Sequence, residues 1–175
     1  MKSTKKKTLN PDKKLTAACG LFCPACIIFI ASRETPEKRE KLSRRLNIPL
    51  EMLQCDGCHS DKRFFYCLTC KLIACANQRG VDFCGACPDF PCNDLKEFQA
   101  AKPHRLELWQ AHKRIQEAGY EKWFAEMLEH YACPSCGALN SAYHISCREC
   151  SVTPGNAFVE AHKTIISEHL ANRSK

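Results

Sequence analysis

The sequence predicts a small α-rich, metal-nucleated, cysteine-rich fold, with irregular knuckle loops between helices and a zinc-ribbon module towards the C-terminus. Three observations predict it. Fifteen cysteines stand among 175 residues, most in C-x2-C pairs whose spacing lets two sulfurs reach one ion. The 45% hydrophobic fraction includes those cysteines, so the aliphatic and aromatic supply is thin and bound metal takes over part of the stabilisation. Away from the cysteines, apolar residues recur at three- and four-residue spacing, the period of a packed helix. A disulfide framework fits less well, because it pairs an even number of cysteines and belongs to secreted chains.

In chain order, residues 1–14 form a basic tail, with Lys2, Lys5, Lys6, Lys7, Lys13 and Lys14 against the single acid Asp12. Its composition predicts disorder. The tail carries +5 of the formal net charge of +7, whereas each divalent ion on four thiolates leaves about −2. The folded body is therefore expected near neutrality or acidic, without the electrostatic footprint of a nucleic-acid binder. The lysines and the apolar run Leu15 to Ala31 imitate an export signal. Gly20, Pro24 and three cysteines interrupt that run, and it is too short to span a bilayer. The expectation is a cytoplasmic protein with no membrane partner.

Residues 15–131 read as a cysteine-rich metal-binding domain. Its first cluster is Cys19, Cys23 and Cys26. Thr35 as N-cap and Pro36 as first helical residue then open a helix expected to reach about Asn47. A loop-rich core follows: Cys55 and Cys58, then the C-x2-C-x4-C triad Cys67, Cys70 and Cys75, repeated 17 residues later as Cys84, Cys87 and Cys92. Between them, Phe64, Phe65 and Tyr66 read as a strand on the core, or, with Lys62 and Arg63, as a stacking and phosphate contact. Asn93 is expected to cap a short helix. Pro103 opens another that carries Leu106, Trp109, His112, Arg114 and Ile115 and stops at Gly119. Tyr120, Trp123, Phe124, Met127, Leu128 and Tyr131 mark a packed amphipathic helix.

Residues 132–152 read as the zinc ribbon, with Cys133 and Cys136 in one knuckle and Cys147 and Cys150 in the other. Gly137 permits the tight turn, and residues 138–146 are long enough for a hairpin. Four thiolates from two knuckles make a closed, structural tetrahedron. Zinc is favoured, and a rubredoxin-like iron uses the same ligands. Residues 153–175 form a C-terminal helix capped by Asn156, with Phe158, Ile165, Ile166 and Leu170 on one side.

The eleven cysteines before residue 93 are one fewer than three four-thiolate sites need. One partition gives Cys55, Cys58, Cys67 and Cys70 to one ion and Cys75, Cys84, Cys87 and Cys92 to another. Interleaved pairings suit the spacing equally. Cys19, Cys23 and Cys26 then lack a fourth ligand, for which His59, His104, a carboxylate or an open position are the candidates. The cofactor expectation is about three to four zinc ions, with an iron–sulfur cluster at Cys19, Cys23 and Cys26 as the alternative. His130, His144, His162 and His169 read as surface or helix residues rather than ligands.

The order CGLFCPAC, then CDGC, then CLTCKLIACANQRGVDFCGACPDFPC resembles the cysteine-rich domain-of-unknown-function family 3795. The resemblance runs from about Ala17 to Trp123 and implies metal binding by these cysteines, zinc being the usual inference, with no established activity. The tail and the Cys133 to Cys150 module stand as additions to that pattern. The sequence has no H-E-x-x-H, no phosphate-cradling glycine loop and no deaminase pairing of H-x-E with P-C-x-x-C. The expected function is thus a metal-organised binding module with a protein partner. The alternatives are a redox or enzymatic centre, iron–sulfur or open zinc, at Cys19, Cys23 and Cys26, and a nucleic-acid-binding zinc ribbon.

Overall fold

The computed structural model describes residues 9–172, so Lys2, Lys5, Lys6 and Lys7 of the basic tail lie outside the described residues. The described end of the tail forms the 3-10 turn Lys13–Leu15. Asp12 caps it by accepting from the Lys14 amide at 2.9 Å, and Lys13 Nζ donates to Asp82 Oδ2 at 2.5 Å.

The helices run α1 Ile27–Ala31, α2 Pro36–Leu46, α3 Phe65–Leu68, α4 Lys71–Gln78, α5 Asn93–Ala100, α6 Leu108–Ala118, α7 Tyr120–His130 and α8 Ala157–Asn172. Among the described residues the β-pairing is confined to two isolated bridges, Thr16 with Phe22 and Ala132 with Leu139. Helices joined by knuckles are therefore the architecture, and residues 132–152 contain turns and one bridge rather than paired strands.

Local chemistry sets the boundaries. Pro36 starts α2, and Asn47 stops it in the left-handed region at φ 52, which asparagine tolerates. Gly119, at φ 82, turns the chain from α6 into α7. That turn lets α7 bury Tyr120, Trp123 and Phe124, the three- and four-residue stripe expected of it. Asn156 Oδ1 accepts from the Val159 amide at 2.8 Å and caps α8, while its Nδ2 donates to the Ser141 carbonyl at 3.1 Å.

Four expectations are corrected. Phe64, Phe65 and Tyr66 do not form a strand: the chain must reverse towards the Cys67–Cys70 knuckle, so it curls into the single turn α3, leaving Phe64 buried and Tyr66 70% exposed. Cys92, not Asn93, occupies the cap position of α5. Pro103 opens the 3-10 turn Pro103–Arg105, and α6 begins only at Leu108. In α8, His162 adopts φ −123 and breaks the helical phase, so Ile166 is fully buried while Ile165 stays 48% exposed.

The main core joins segments far apart in the chain: Leu15, Phe22 and Phe29 from the first loop and α1, Trp123, Phe124 and Tyr131 from and just after α7, and Phe158, Val159 and Ile166 from α8. At its centre the Phe22, Tyr131 and Phe158 rings stack in sequence, with centroids 5.9 and 5.5 Å apart. The C-terminal module thus shares a core with the cysteine-rich domain. An ion network adds to the junction: Arg148 meets Glu34 and Glu149, and Lys38 bridges the same two carboxylates at 3.1 and 2.9 Å.

Candidate metal centre

Cys133, Cys136, Cys147 and Cys150 bring their sulfurs together so that all four lie within 4.8 Å of one another. Cys133 and Cys150 are 3.6 Å apart, as are Cys136 and Cys147. A tetrahedron with Zn–S bonds of about 2.3 Å has sulfurs about 3.8 Å apart, so the quartet fits one tetrahedral ion with little movement. The turns that build it also supply donors. The amides of Ser135 and Cys136 point to Cys133 Sγ at 3.4 and 3.5 Å, and the Glu149 amide points to Cys147 Sγ at 3.4 Å. Such N–H···S contacts favour thiolate over thiol.

The four sulfurs are electrostatically unequal. Burial opposes ionisation of Cys147, but the Cys150 and Glu149 amides, the Asn140 side chain and the Cys133 thiol outweigh it and hold Cys147 down to about 6. The Ala138 amide favours a Cys136 thiolate, yet burial and the hydrogen bonds of Cys150, Cys147 and Cys133 push Cys136 up to about 12. Four neighbouring thiols shed all their protons only to a cation. Asn140, fully buried, braces the group: its Nδ2 reaches Cys147 Sγ at 3.5 Å and the Gly155 carbonyl at 2.9 Å, and its Oδ1 accepts from the Arg148 amide at 3.0 Å.

The other eleven cysteines are all free thiols. Among the described residues, no other group of three or more Cys, His, Asp or Glu gathers its ligand atoms as closely as the quartet. They are nevertheless neighbours. Burial raises Cys19 well above the ordinary thiol range, opposed by the Leu21 amide, and the charges of Cys58, Cys70 and Cys84 raise it further. Burial pushes Cys67 up to about 12, with Cys26, Cys55, Cys58 and Cys70 adding to it. Cys84, also pushed up to about 12 by burial, has Cys92, Cys75, Cys87 and Cys70 around it. The Cys58 amide supports Cys23 and the Ala18 amide supports Cys58. The Cys55–Cys58 loop therefore lies against the first cysteine loop.

Close backbone approach makes that contact possible. A Cβ on Gly57, between Cys55 and Cys58, would stand 2.0 Å from the Lys14 carbonyl oxygen, and Gly57 has φ 113. The second device is His112 of α6, 1% exposed. Its Nε2–H donates to the Cys19 carbonyl at 2.9 Å, and its Nδ1 accepts from the Gly85 amide at 3.2 Å. A Cβ on Gly20 or Gly85 would lie 2.9 or 2.8 Å from this ring. One neutral imidazole thus holds the Cys19–Gly20 and Cys84–Gly85 loops together. Neither His112 nor Asn140 was singled out from the sequence, because their partners lie far along the chain or on backbone atoms. His112 had no local signal beyond a place on the α6 stripe.

The histidines offered as a twelfth ligand are placed elsewhere. His104 Nδ1 lies 2.5 Å from the Tyr143 hydroxyl, and neither it nor His59 joins a thiol group of quartet-like geometry among the described residues. His130 and His162 flank Glu107 at 2.8 and 2.9 Å. His144 Nδ1 accepts from the Ser141 amide at 3.1 Å. Next to the first cysteine loop, Gly20, Phe22, Glu107, Lys113, Trp123 and Met127 help to line a cleft of about 350 Å³. Among the described residues, no helix is long and apolar enough to cross a membrane.

No curated protein and no solved structure matches the chain. Residues 15–97 match the family described as "Protein of unknown function (DUF3795)". The matched segment ends before α6, so His112 lies outside the part it clamps, and the Cys133 quartet lies outside it as well. All eleven earlier cysteines, with Gly20, Gly57 and Gly85, fall inside the segment that is similar to this family.

Proposed function

We propose that the protein is a zinc-organised interaction module that acts by presenting a surface to a protein partner. The observation that carries the reading is the Cys133, Cys136, Cys147 and Cys150 quartet, whose sulfurs already have tetrahedral spacing. All four positions are filled by protein thiols, which is the arrangement of a closed structural site rather than a catalytic one. Zinc is the ion of choice for such a set because it tolerates four thiolates without redox change. Together with sites among the other eleven thiols, a total of about three to four zinc ions follows. Support for a partner comes from α3, where Tyr66 and Leu68 are 70% and 55% exposed and Tyr66 stacks on Phe65 at 4.3 Å. Exposed apolar side chains held on a rigid turn are typical interface material.

The test is elemental analysis and visible spectroscopy of anaerobically purified protein, with Cys133→Ser and Cys147→Ser beside the parent. A colourless parent that loses about one zinc in either variant supports the reading. Iron with acid-labile sulfide and a visible charge-transfer band would replace it with the iron–sulfur alternative at Cys19, Cys23 and Cys26.

A further inference from the structure

The cleft of about 350 Å³ beside the first cysteine loop lies between residues 20–22, α6 and α7, and no cysteine lines it. Its volume is at the lower end of small-molecule sites and leaves room for about ten non-hydrogen atoms, counted at water's share of the liquid of about 30 Å³. Phe22, Trp123, Met127 and Tyr131 supply an apolar wall. The cations on the lining are answered within the protein: Arg114 holds Glu126 at 2.8 and 2.5 Å, and Lys113 pairs with Glu117 at 3.7 Å. Glu107 differs. Among the described residues its ion-pair partners are the imidazoles of His130 and His162, at 2.8 and 2.9 Å, with no lysine or arginine.

A carboxylate offers about four lone-pair sites, and the two imidazoles take up one on each oxygen. Burial opposes the charge on Glu107, but His130 and His162 outweigh it and hold the carboxyl below the usual carboxylate range. Trp123 contributes an unmet donor. It is 1% exposed, and its Nε1–H has no acceptor among the described residues, a state that costs free energy until an acceptor arrives. An anionic carboxylate and an unmet N–H on an aromatic wall ask for three complementary groups. These are a cation, which aromatic rings also attract, an oxygen acceptor and an apolar body.

We propose that this cleft is a binding site for a small organic cation: a protonated amine that meets Glu107, on an apolar body that lies against Phe22, Met127 and Tyr131, with an ether or carbonyl oxygen that accepts from Trp123 Nε1–H. An anion is repelled by Glu107, and a neutral apolar molecule would bury the carboxylate further without giving it a new partner. The site goes beyond the interaction-module reading. It needs neither the quartet nor the α3 surface, and stands whichever metal the cysteines hold.

The test uses the full chain, reduced and loaded with zinc, and phenoxyethylamine as probe, which carries an ammonium, an ether oxygen and a ring. Phenoxyethanol and phenoxyacetate are its neutral and anionic counterparts. Titration is followed by nuclear magnetic resonance of the two indole N–H groups, told apart with Trp109→Phe. Phenoxyethylamine is expected to shift the Trp123 signal saturably and to bind at least about tenfold more tightly than phenoxyethanol, with phenoxyacetate weakest. Glu107→Gln is expected to lose about tenfold in affinity for the amine and little for the alcohol. An unmoved Trp123 signal overturns the proposal, as does equal binding of amine and alcohol, or full amine affinity in folded Glu107→Gln. The comparison of the three probes needs no change at Glu107, so it decides the matter even where that variant fails to fold. None of these outcomes touches zinc content, which keeps this site and the interaction-module reading separable.

Discussion

His112 is held on both sides by glycines, and this fixes what neighbouring substitutions do. Gly85→Ala would press a methyl group 2.8 Å from Nδ1, an overpacking expected to cost about 1–3 kcal/mol in chemical denaturation of the zinc-loaded protein. Replacing His112 itself by Ala removes two hydrogen bonds and opens a hole, with a cost of about 3 kcal/mol. The double variant should lose less than the sum, because the new methyl group enters the vacated space, and an additive result would refute the contact. The buried imidazoles also have a pH signature. Desolvation, first among the causes, pushes His104 down to about 3 and both His112 and His144 down to about 4. A histidine with a lowered folded pKa takes up protons more readily when unfolded. Its contribution is complete above the unfolded value of about 6.5 and is lost as pH falls from there towards 4. Nuclear magnetic resonance should accordingly find the His104 and His144 rings neutral at about pH 5, where an ordinary imidazole is charged.

At the scale of elements, α8 depends on its cap. Asn156→Ala removes the acceptor for the Val159 amide and takes one of two donors from the Ser141 carbonyl, which keeps the His144 amide. An expected loss of about 1–2 kcal/mol, measured by urea unfolding, follows from a lost cap together with one lost buried hydrogen bond. Elements of this kind were legible in the sequence where the signal was local. The Thr35-Pro36 start of α2, the Tyr120 to Tyr131 stripe and the Asn156 cap all appear where their residues announce them. The quartet was legible for the same reason, since two C-x2-C knuckles need only a turn to meet. Phe64 to Tyr66 misled because an apolar aromatic triplet has no period of its own, and the reversal into the Cys67 knuckle decided its shape. The grouping of the eleven earlier thiols was not legible at all. It depends on Gly57 resting against the Lys14 carbonyl and on His112 joining two loops, contacts between residues that no spacing rule connects.

For the whole molecule, the quartet and the main core are linked through Asn140, which touches both Cys147 and the Gly155 carbonyl just ahead of α8. Chelation of the quartet metal is therefore expected to loosen α8 as well as the knuckles, seen as a fall in helical circular dichroism that zinc reverses. Phe158→Ala should cost about 3–5 kcal/mol and should lower hydrogen-exchange protection around Phe22 as much as around α8, because both rings pack against Tyr131. The same three-ring stack bears on where the chain can be cut. A protease or an engineered stop after Tyr131 would remove the ring that covers one of its faces and strip Val159 and Ile166 from the core. The segment that matches the family model is not a unit of cooperative folding: residues 15–97 expressed alone would lack the α6, α7 and α8 residues that close their core, and would behave as a sticky fragment rather than an autonomous domain.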